Sequence, residues 1–289
     1  MALQANFLLV DLDQPLRSGA EPLLCTPRRR LSKSGQRVLV GDRVAVDGID
    51  RTGERGAVMG VGPRSSLLKR PAVANVSRVV VMSALSEPDL DPLQLTRFLV
   101  TAEAARLPVL LVLSKADLVP PSAVRAWSRR AEGWGYVTHA ISTSTGAGLE
   151  GLRAELGEPG LSVLCGPSGV GKSSLLHALH PNPRIRIGAV SGRLRRGRHT
   201  TRHVELFRLS PAALVADTPG FNRPCLPSDP VALAMAFPEL RARADAGTCR
   251  FRDCRHLGEP GCAAGTDWDR HPLYRHCLEE LLRMEHTHG

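Results

Sequence analysis

An apolar segment that runs directly into a glycine-rich phosphate loop is the strongest constraint in this sequence. The apolar part covers residues 161–165, and the loop follows the pattern G-x-x-x-x-G-K-S from Gly166 to Ser173. In such a loop the backbone N–H groups surround phosphate oxygens, the lysine adds a positive charge for the β- and γ-phosphates, and the serine hydroxyl can bind Mg²⁺. The pattern predicts a nucleoside triphosphate site with a helix starting at Ser173. The residues expected to hold the nucleotide phosphates are Gly166, Pro167, Ser168, Gly169, Val170, Gly171, Lys172, Ser173 and Ser174.

The base that this loop serves is indicated upstream, where the apolar run Val109–Leu113 ends in Ser114-Lys115-Ala116-Asp117. An aspartate at this place can accept two hydrogen bonds from guanine, whereas adenine offers no such pair of donors. The Lys115 stem can lie across the base, and Ser114 stands where asparagine is common. The segment therefore favours GTP over ATP. Taken alone, it also fits a strand-to-helix turn with a capping aspartate.

A second base-side element is expected at Ile141-Ser142-Thr143, which follows a short strand near Val137 and precedes a helix over Leu149–Leu156. The backbone around Ser142 could contact the guanine O6. Serine and threonine before a helix are also ordinary caps, so this prediction depends on the neighbouring motifs.

Two segments beyond the phosphate loop are typical of nucleotide-dependent switches. The first contains His199, Thr200 and Thr201, and the second is Asp217-Thr-Pro-Gly220, directly after the apolar run Ala212–Ala216. We expect one of the two threonines and Asp217 to serve the magnesium ion, and the Gly220 N–H to meet the γ-phosphate. Hydrolysis would then release the second segment.

The order of these motifs predicts a circularly permuted domain. Ordinary GTPases have the phosphate loop first and the base-recognition motif last, but here the base-recognition motif precedes the loop. A permuted sheet can keep the same site while the chain ends move. The new C-terminal end falls just after the second switch, so the segment beyond Gly220 is expected to be coupled to nucleotide state.

A metal-site pattern lies in this C-terminal segment. The ligand candidates, three cysteines and one histidine within a short stretch, are Cys249, Cys254, His256 and Cys262. This set fits a tetrahedral structural Zn²⁺, since a catalytic zinc keeps one position open for water. The remaining four of the seven cysteines are expected to be reduced thiols of a cytosolic protein.

Taken together, these motifs resemble the ribosome small-subunit-dependent GTPase A family, the RsgA or YjeQ type of circularly permuted GTPase. The resemblance also rests on N-terminal segments of the chain, at residues 40–44, 63–67 and 70–76. It implies a multidomain α/β protein: an N-terminal OB-type β-barrel over residues 1–68, a central permuted P-loop GTPase domain over residues 69–223 with a mostly parallel sheet and helices on both faces, and a helical zinc-binding domain over residues 224–289.

The resemblance further implies GTP and GDP as ligands, Mg²⁺ at the nucleotide, and one structural Zn²⁺. The implied partner is the small (30S) ribosomal subunit with its 16S rRNA, late in subunit maturation. Two residues depart from the family pattern, because Ser114 replaces the usual asparagine and Arg202 stands where a third threonine often follows.

Charge and hydropathy agree with an RNA partner. The formal net charge is +10, and residues 184–202 contain seven arginines and no acidic residue. Such a surplus favours a polyanion, although a solvated charged face remains the alternative. Short alternating segments separated by glycine turns predict a small N-terminal β-barrel, which periodicity cannot assign to the OB or SH3-like type. With no membrane-spanning run and no secretion signal, we expect a cytoplasmic monomer without a membrane partner.

The water that attacks the γ-phosphate needs a positioning group. The residue after Gly220 is Phe221, which has no polar atom for this purpose, so His199 is the candidate in the chain. A contact of His199 with RNA phosphate is the alternative. If His199 positions the water, we expect slow hydrolysis by the free protein that the ribosomal subunit accelerates.

Two other functions stay open at this point. One is a GTP-regulated rRNA-binding module in which hydrolysis is incidental, which a non-hydrolysable analogue would test. The other is an ATP-dependent kinase or ATPase, which Asp117 argues against and nucleotide competition would test.

Overall fold

The computed structural model describes residues 2–4, 7–13, 22–28, 31, 36–50, 54–179, 186–187, 204–218 and 223–288. Within it the chain divides into two compact units. The first contains Met1–Arg78, Leu152–Leu164 and Ser173–Asn222, and the second contains Val79–Gly151, Cys165–Lys172 and Arg223–Gly289. The predicted division into three domains (residues 1–68, 69–223 and 224–289) stays a prediction.

The N-terminal part of the first unit is a five-stranded sheet. Its strands are β1 (Ala2–Gln4), β2 (Phe7–Val10), β3 (Leu23–Pro27), β4 (Val44–Asp50) and β5 (Arg55–Val61), in the order β1-β2-β3-β5-β4. All neighbours are antiparallel except β3 and β5. Alternate residues such as Leu8, Val10 and Leu23 point into a small apolar core. The predicted small N-terminal β-structure is therefore confirmed.

Three of the N-terminal segments that carry the family resemblance meet just beyond this sheet. The buried Asp42 carboxylate accepts hydrogen bonds from the Leu39 N–H (2.7 Å) and from Arg64 Nε and Nη2 (2.7 and 2.8 Å). Asn75 donates from Nδ2 to the Gly41 carbonyl (2.9 Å) and accepts at Oδ1 from the Ser65 N–H (2.9 Å). A hairpin of β6 (Leu67–Lys69) and β7 (Ala72–Ala74) lies between Ser65 and Asn75 in the sequence. The segments thus fix one another through side chains.

In the second unit, three parallel strands have the order β10-β9-β8. They are β8 (Val76–Ala84), which begins in the first unit, β9 (Val109–Ser114) and β10 (Val137–Ala140). Between them run the helices α1 (Pro92–Glu103) and α2 (Pro121–Gly133). β8 and β9 are almost continuously apolar and buried, as a parallel strand covered on both faces requires.

The first unit carries the strand that leads to the phosphate loop. β11 (Gly160–Cys165) pairs in parallel with β14 (Ala213–Asp217), which is antiparallel to β13 (Glu205–Arg208), itself antiparallel to β12 (Arg186–Ile187). Two further helices are α3 (Leu149–Gly157) and α4 (Lys172–Leu179). The predicted strand, loop and helix at residues 161–179 are confirmed, and the α/β class with a largely parallel sheet is as expected.

The C-terminal part of the second unit is helical. Its helices are α5 (Pro230–Met235), α6 (Pro238–Asp245) and α7 (His271–His288). Their core is aromatic, because Phe237, Trp268 and Tyr274 pack with ring centroids 5.2 to 5.9 Å apart. Among the described residues, the helices are too short or too polar for any of them to cross a bilayer.

The Asp42 contacts generate a stability prediction. Asp42→Ala would leave the Leu39 N–H without its acceptor and the half-buried Arg64 guanidinium with the Arg37 carbonyl alone, so it should cost about 2 kcal/mol of local opening free energy. Native-state hydrogen exchange of the β4 and β5 amides measures this. Asp47→Ala removes an exposed carboxylate that accepts a hydrogen bond from the N–H of the next residue, Gly48, and should change the same quantity by less than about 0.5 kcal/mol. Equal effects of the two substitutions would contradict the structural role of Asp42.

Candidate nucleotide-binding site and metal centre

The phosphate loop has a backbone that only glycine can supply at its first position. Gly166 has φ +144°, and a Cβ there would lie 2.1 Å from the Met82 carbonyl oxygen. Gly171, at the other end of the loop, has φ +91°. Both positions lie outside the conformations that other residues adopt without strain. The loop therefore turns closely over the end of β8.

Lys172 ends this loop and begins α4. Its ammonium group donates to the carbonyls of Gly166 (2.8 Å) and Pro167 (2.6 Å), so it lies across the mouth of the loop. Phosphate oxygens are stronger acceptors for an ammonium group than peptide carbonyls are. The residues present thus fit a polyphosphate, with the lysine already at the loop that would receive it.

Ser114, the departure from the family pattern, braces the loop. It is 2% exposed at the end of β9, and its hydroxyl oxygen lies 2.6 Å from the Val170 carbonyl and 3.2 Å from the Ser83 carbonyl. A hydroxyl has one proton, so the shorter contact to Val170 is the stronger bond. The serine that stands in place of the usual asparagine therefore makes a direct link to the phosphate loop.

Asp117 lies in a 3-10 turn after β9 and is held by hydroxyl groups. Ser144 donates to Asp117 Oδ2 (2.7 Å), and its oxygen is 2.9 Å from that of Ser142. Hydrogen bonds from Ser142 and Ser144 keep the pKa of Asp117 below its ordinary value. The carboxylate is thus charged at neutral pH and oriented, as an acceptor for two guanine donors must be.

The two segments around Asp117 and Ser142 are also joined through their backbones. The Ala116 N–H donates to the Ile141 carbonyl (3.0 Å), and the Ile141 N–H donates to the Leu113 carbonyl (2.8 Å). Lys115 has a left-handed φ of +56°, and its ammonium group donates to the Glu87 carbonyl. These contacts bring residues 114–117 and Ser142 together, and their role in base recognition stays a prediction.

The described candidate magnesium residues, Ser173 and Asp217, come from two elements. Ser173 lies in the first turn of α4, followed by the phosphate-site candidate Ser174, and Asp217 is the last residue of β14. In the parallel pairing, Asp217 lies opposite Leu164, two residues before the phosphate loop, and the buried Thr218 hydroxyl donates to the Leu164 carbonyl (3.4 Å). An oxygen ligand at this register suits Mg²⁺. His199, Thr200, Thr201 and Gly220 lie outside the described residues, and so does nearly all of the arginine-rich segment.

The four predicted metal ligands converge in the second unit. Their ligand atoms all lie within 4.8 Å of one another. His256 Nδ1 is 3.7, 3.8 and 3.5 Å from the sulfur atoms of Cys249, Cys254 and Cys262. Zinc–sulfur and zinc–nitrogen bonds at tetrahedral angles separate such atoms by about 3.6 Å. The donor set and its spacing therefore fit one Zn²⁺.

Hydrogen bonds from within the loop and from α7 hold the loop around this cluster. Glu259 accepts hydrogen bonds from the N–H groups of Arg255 (2.9 Å) and Leu257 (2.8 Å). The Tyr274 hydroxyl donates to the Arg255 carbonyl (2.7 Å), and His271 Nε2 is 3.0 Å from the His256 carbonyl. Such contacts hold the ligands in the orientation that the metal needs.

Some residues of the site were absent from the sequence predictions. Ser144 was not predicted because a serine in a polar loop belongs to no recognisable motif. Its contact with Asp117 depends on a local turn, in which the Thr145 N–H donates to Ser142 Oγ (3.1 Å). Glu87 escaped because its contribution is a backbone carbonyl. The only indication in the sequence that Ser144 belongs to the site is its position two residues after Ser142.

The chain is similar to known proteins over nearly its whole length. Residues 61–226 match the model of the RsgA GTPase family. A protein from Synechococcus sp. (strain CC9311), named small ribosomal subunit biogenesis GTPase RsgA, is 56% identical over 98% of this chain and 93% of its own length. A relative of the same name from Thermosynechococcus vestitus is 49% identical over 97% of this chain and 80% of its own length.

Two solved structures share the fold. The crystal structure of YjeQ from Thermotoga maritima is 30% identical and has a TM-score of 0.74, with 91% of each chain covered. The structure of YloQ, described as a circularly permuted GTPase, is 27% identical and has a TM-score of 0.72, with 97% of this chain and 91% of that chain covered. The predicted circular permutation is confirmed.

The Ser144 contact generates a prediction about base affinity. Ser144→Ala removes one hydrogen bond that orients the Asp117 carboxylate, so the Kd for GDP should rise about fivefold. Titration with a fluorescent GDP analogue measures this. Thr145→Ala removes the neighbouring hydroxyl, which accepts from the Ala147 N–H instead, and should leave the Kd unchanged. An unchanged Kd for Ser144→Ala would exclude this orienting role.

The cysteine–histidine cluster generates a prediction about metal content. The purified protein should carry about one zinc ion per chain, and Cys262→Ser should lose it together with several degrees of Tm, since metal-binding energy is folding energy. Elemental analysis and thermal unfolding measure the two effects. Cys225→Ser changes an exposed cysteine outside the cluster and should keep the zinc. Retention of the full zinc content by Cys262→Ser would contradict the assignment.

Proposed function

Since this chain belongs to the RsgA GTPase family and is therefore a GTPase, we propose that it couples GTP hydrolysis to a late step in the maturation of the small ribosomal subunit. One observation carries the proposal: hydrogen bonds link the strand before Asp117 to the phosphate loop and orient the Asp117 carboxylate. This arrangement occurs in a chain that is 56% identical to a protein named for small ribosomal subunit biogenesis.

In the proposed site, the base and the phosphates are bound by separate segments. Asp117 accepts the two guanine donors, the backbone around Ser142 contacts O6, and Lys115 covers the base. Residues 166–174 bind the phosphates, and the Lys172 ammonium group moves from the loop carbonyls to the β- and γ-phosphates. Ser173 and Asp217 hold Mg²⁺, which supplies charge neutralisation at the transferring phosphoryl group. GTP is the substrate, and GDP and phosphate are the products.

Hydrolysis by the free protein is proposed to be slow. Phe221 follows the second switch, so the usual polar residue that orients water is missing there. We assign this role to His199, beside Thr200 and Thr201, with Gly220 meeting the γ-phosphate. Binding of the subunit would bring these residues together. Completing an active site in this way raises the rate of hydrolysis.

The proposed partner is the small subunit and its 16S rRNA. The chain has a formal charge of +10. In addition, the loop around the metal ligands exposes Arg250, Arg252 and Arg255 next to the exposed Phe251. Cationic side chains beside an exposed aromatic ring are suited to a structured RNA. In this proposal the protein works as a cytoplasmic monomer, and the zinc centre has a structural role.

Steady-state GTP hydrolysis, with and without purified small subunits, tests the proposal. We expect about 100-fold stimulation by small subunits, in the range that one completed catalytic contact supplies, and none by large subunits. Lys172→Ala should abolish the activity, and excess ATP should not compete. Nucleotide binding without stimulation would instead support a GTP-regulated RNA-binding module, and effective competition by ATP would support an ATPase.

The same assay tests His199. His199→Ala should retain GDP binding and lose most of the stimulated rate, because only the water-positioning group is removed. Full stimulated turnover by this variant would remove His199 from the mechanism and leave an RNA contact as its role.

A further inference from the structure

The chain between the two guanine-recognition segments is a helix and an edge strand. After Asp117 the chain forms α2, turns through Trp134 and Tyr136, and returns along β10 to Ser142. β10 lies at the end of the strand order and pairs with β9. An edge strand has ladder hydrogen bonds on one side only, so its position depends strongly on what holds its ends. The turn at residues 134–136 is one of those ends.

Asp269, in the C-terminal part of the same unit, holds this turn. Its carboxylate accepts three hydrogen bonds: from Arg130 Nε (2.6 Å), from Arg130 Nη2 (3.1 Å) and from the Trp134 indole N–H (2.7 Å). The hydrogen bond from Arg130 is the main cause that keeps the pKa of Asp269 below its ordinary value. A charged acceptor with three donors fixes the last turn of α2 and the residue after it.

Arg270 packs against the same turn from within the core. Its guanidinium carbon lies 4.7 Å from the Trp134 ring centroid, 5.4 Å from that of Tyr136 and 4.9 Å from that of Phe237. Its side chain is fully buried and pairs with Glu239. A buried cation tolerates little displacement of its partners, because any gap leaves it desolvated and uncompensated. Trp134 is therefore held by both Asp269 and Arg270, and Tyr136 packs against Arg270.

We propose that Asp269 and Arg270 are positioning residues for guanine recognition, acting through Trp134 and Tyr136 on the spacing between Asp117 and Ser142. The inference rests on the proposed guanine site. Ala116 donates to the Ile141 carbonyl and Ser144 donates to Asp117, so a shift of β10 is passed directly to both segments. Neither residue is among those proposed to contact the nucleotide. Their effect is on the alignment of the Asp117 carboxylate with the two guanine donors.

The test compares GDP with inosine diphosphate, which lacks the exocyclic amine and so forms only one of the two bonds to Asp117. We expect Asp269→Asn to raise the Kd for GDP about fivefold or more and to raise the Kd for inosine diphosphate less, so that the preference for GDP falls. A smaller folded fraction would weaken both nucleotides equally and leave the preference unchanged. The ratio of the two dissociation constants thus separates positioning from stability.

Asp267→Asn is the matched control. It is the same change two residues away, and it breaks an ion pair with Arg243 that lies wholly within the C-terminal part. It should leave both dissociation constants at their wild-type values. If Asp269→Asn does not fold, Arg130→Gln removes the partner of Asp269 from a half-exposed position, and Arg129→Gln on the same helix is its control.

The outcomes are distinct. Equal GDP preference in Asp269→Asn, Arg130→Gln and their controls, with a wild-type protein that prefers GDP, would overturn the positioning role and leave the guanine site intact. A wild-type protein with no preference for GDP over inosine diphosphate would overturn the proposed guanine site itself. A reduced preference confined to Asp269→Asn and Arg130→Gln is the expected result.

Discussion

The hydrogen bond from Ser114 to the Val170 carbonyl ties the base-recognition strand to the phosphate loop, and the geometry of the nucleotide site depends on it. Both residues are at most 2% exposed, so the bond forms where water cannot compete with it. A guanine nucleotide can span only a limited range of distances between its base and its phosphates. A protein that binds both ends gains affinity when its fold already holds the two subsites within that range. The buried bond joins the two segments with a side chain shorter than asparagine.

The circular permutation changes which parts of the chain bear this constraint. Residues 114–117 and 141–144 precede the phosphate loop, while Asp217 follows it. Parallel strands end at the same edge of a sheet whatever their order in the chain, so a permuted chain can keep the same site. The consequence lies at the new ends. The segment after β14 can continue into a further structure, and here it continues into helices and the loop that carries the metal ligands.

The motifs proposed to bind phosphate, base and metal could be recognised in the sequence because each is local. Gly166 to Ser173, Ser114 to Asp117 and the four metal ligands each lie within fifteen residues, and their spacing already implies their geometry. Ser144 was not predictable, since its direction depends on a turn. Asp269 and Arg270 were not predictable either, because their partners Arg130 and Trp134 lie more than 130 residues away. Periodicity likewise could not identify the type of N-terminal barrel. The roles of His199, Thr200, Thr201 and Gly220 stay predictions.

The C-terminal part of the second unit holds the chain between the two proposed base-recognition segments. Its Asp269 accepts hydrogen bonds from Arg130 in α2 and from Trp134 directly after that helix. The metal loop is fixed to the same part, because two of its backbone carbonyls contact Tyr274 and His271. One helical part therefore supports the metal ligands and anchors the turn that leads into β10.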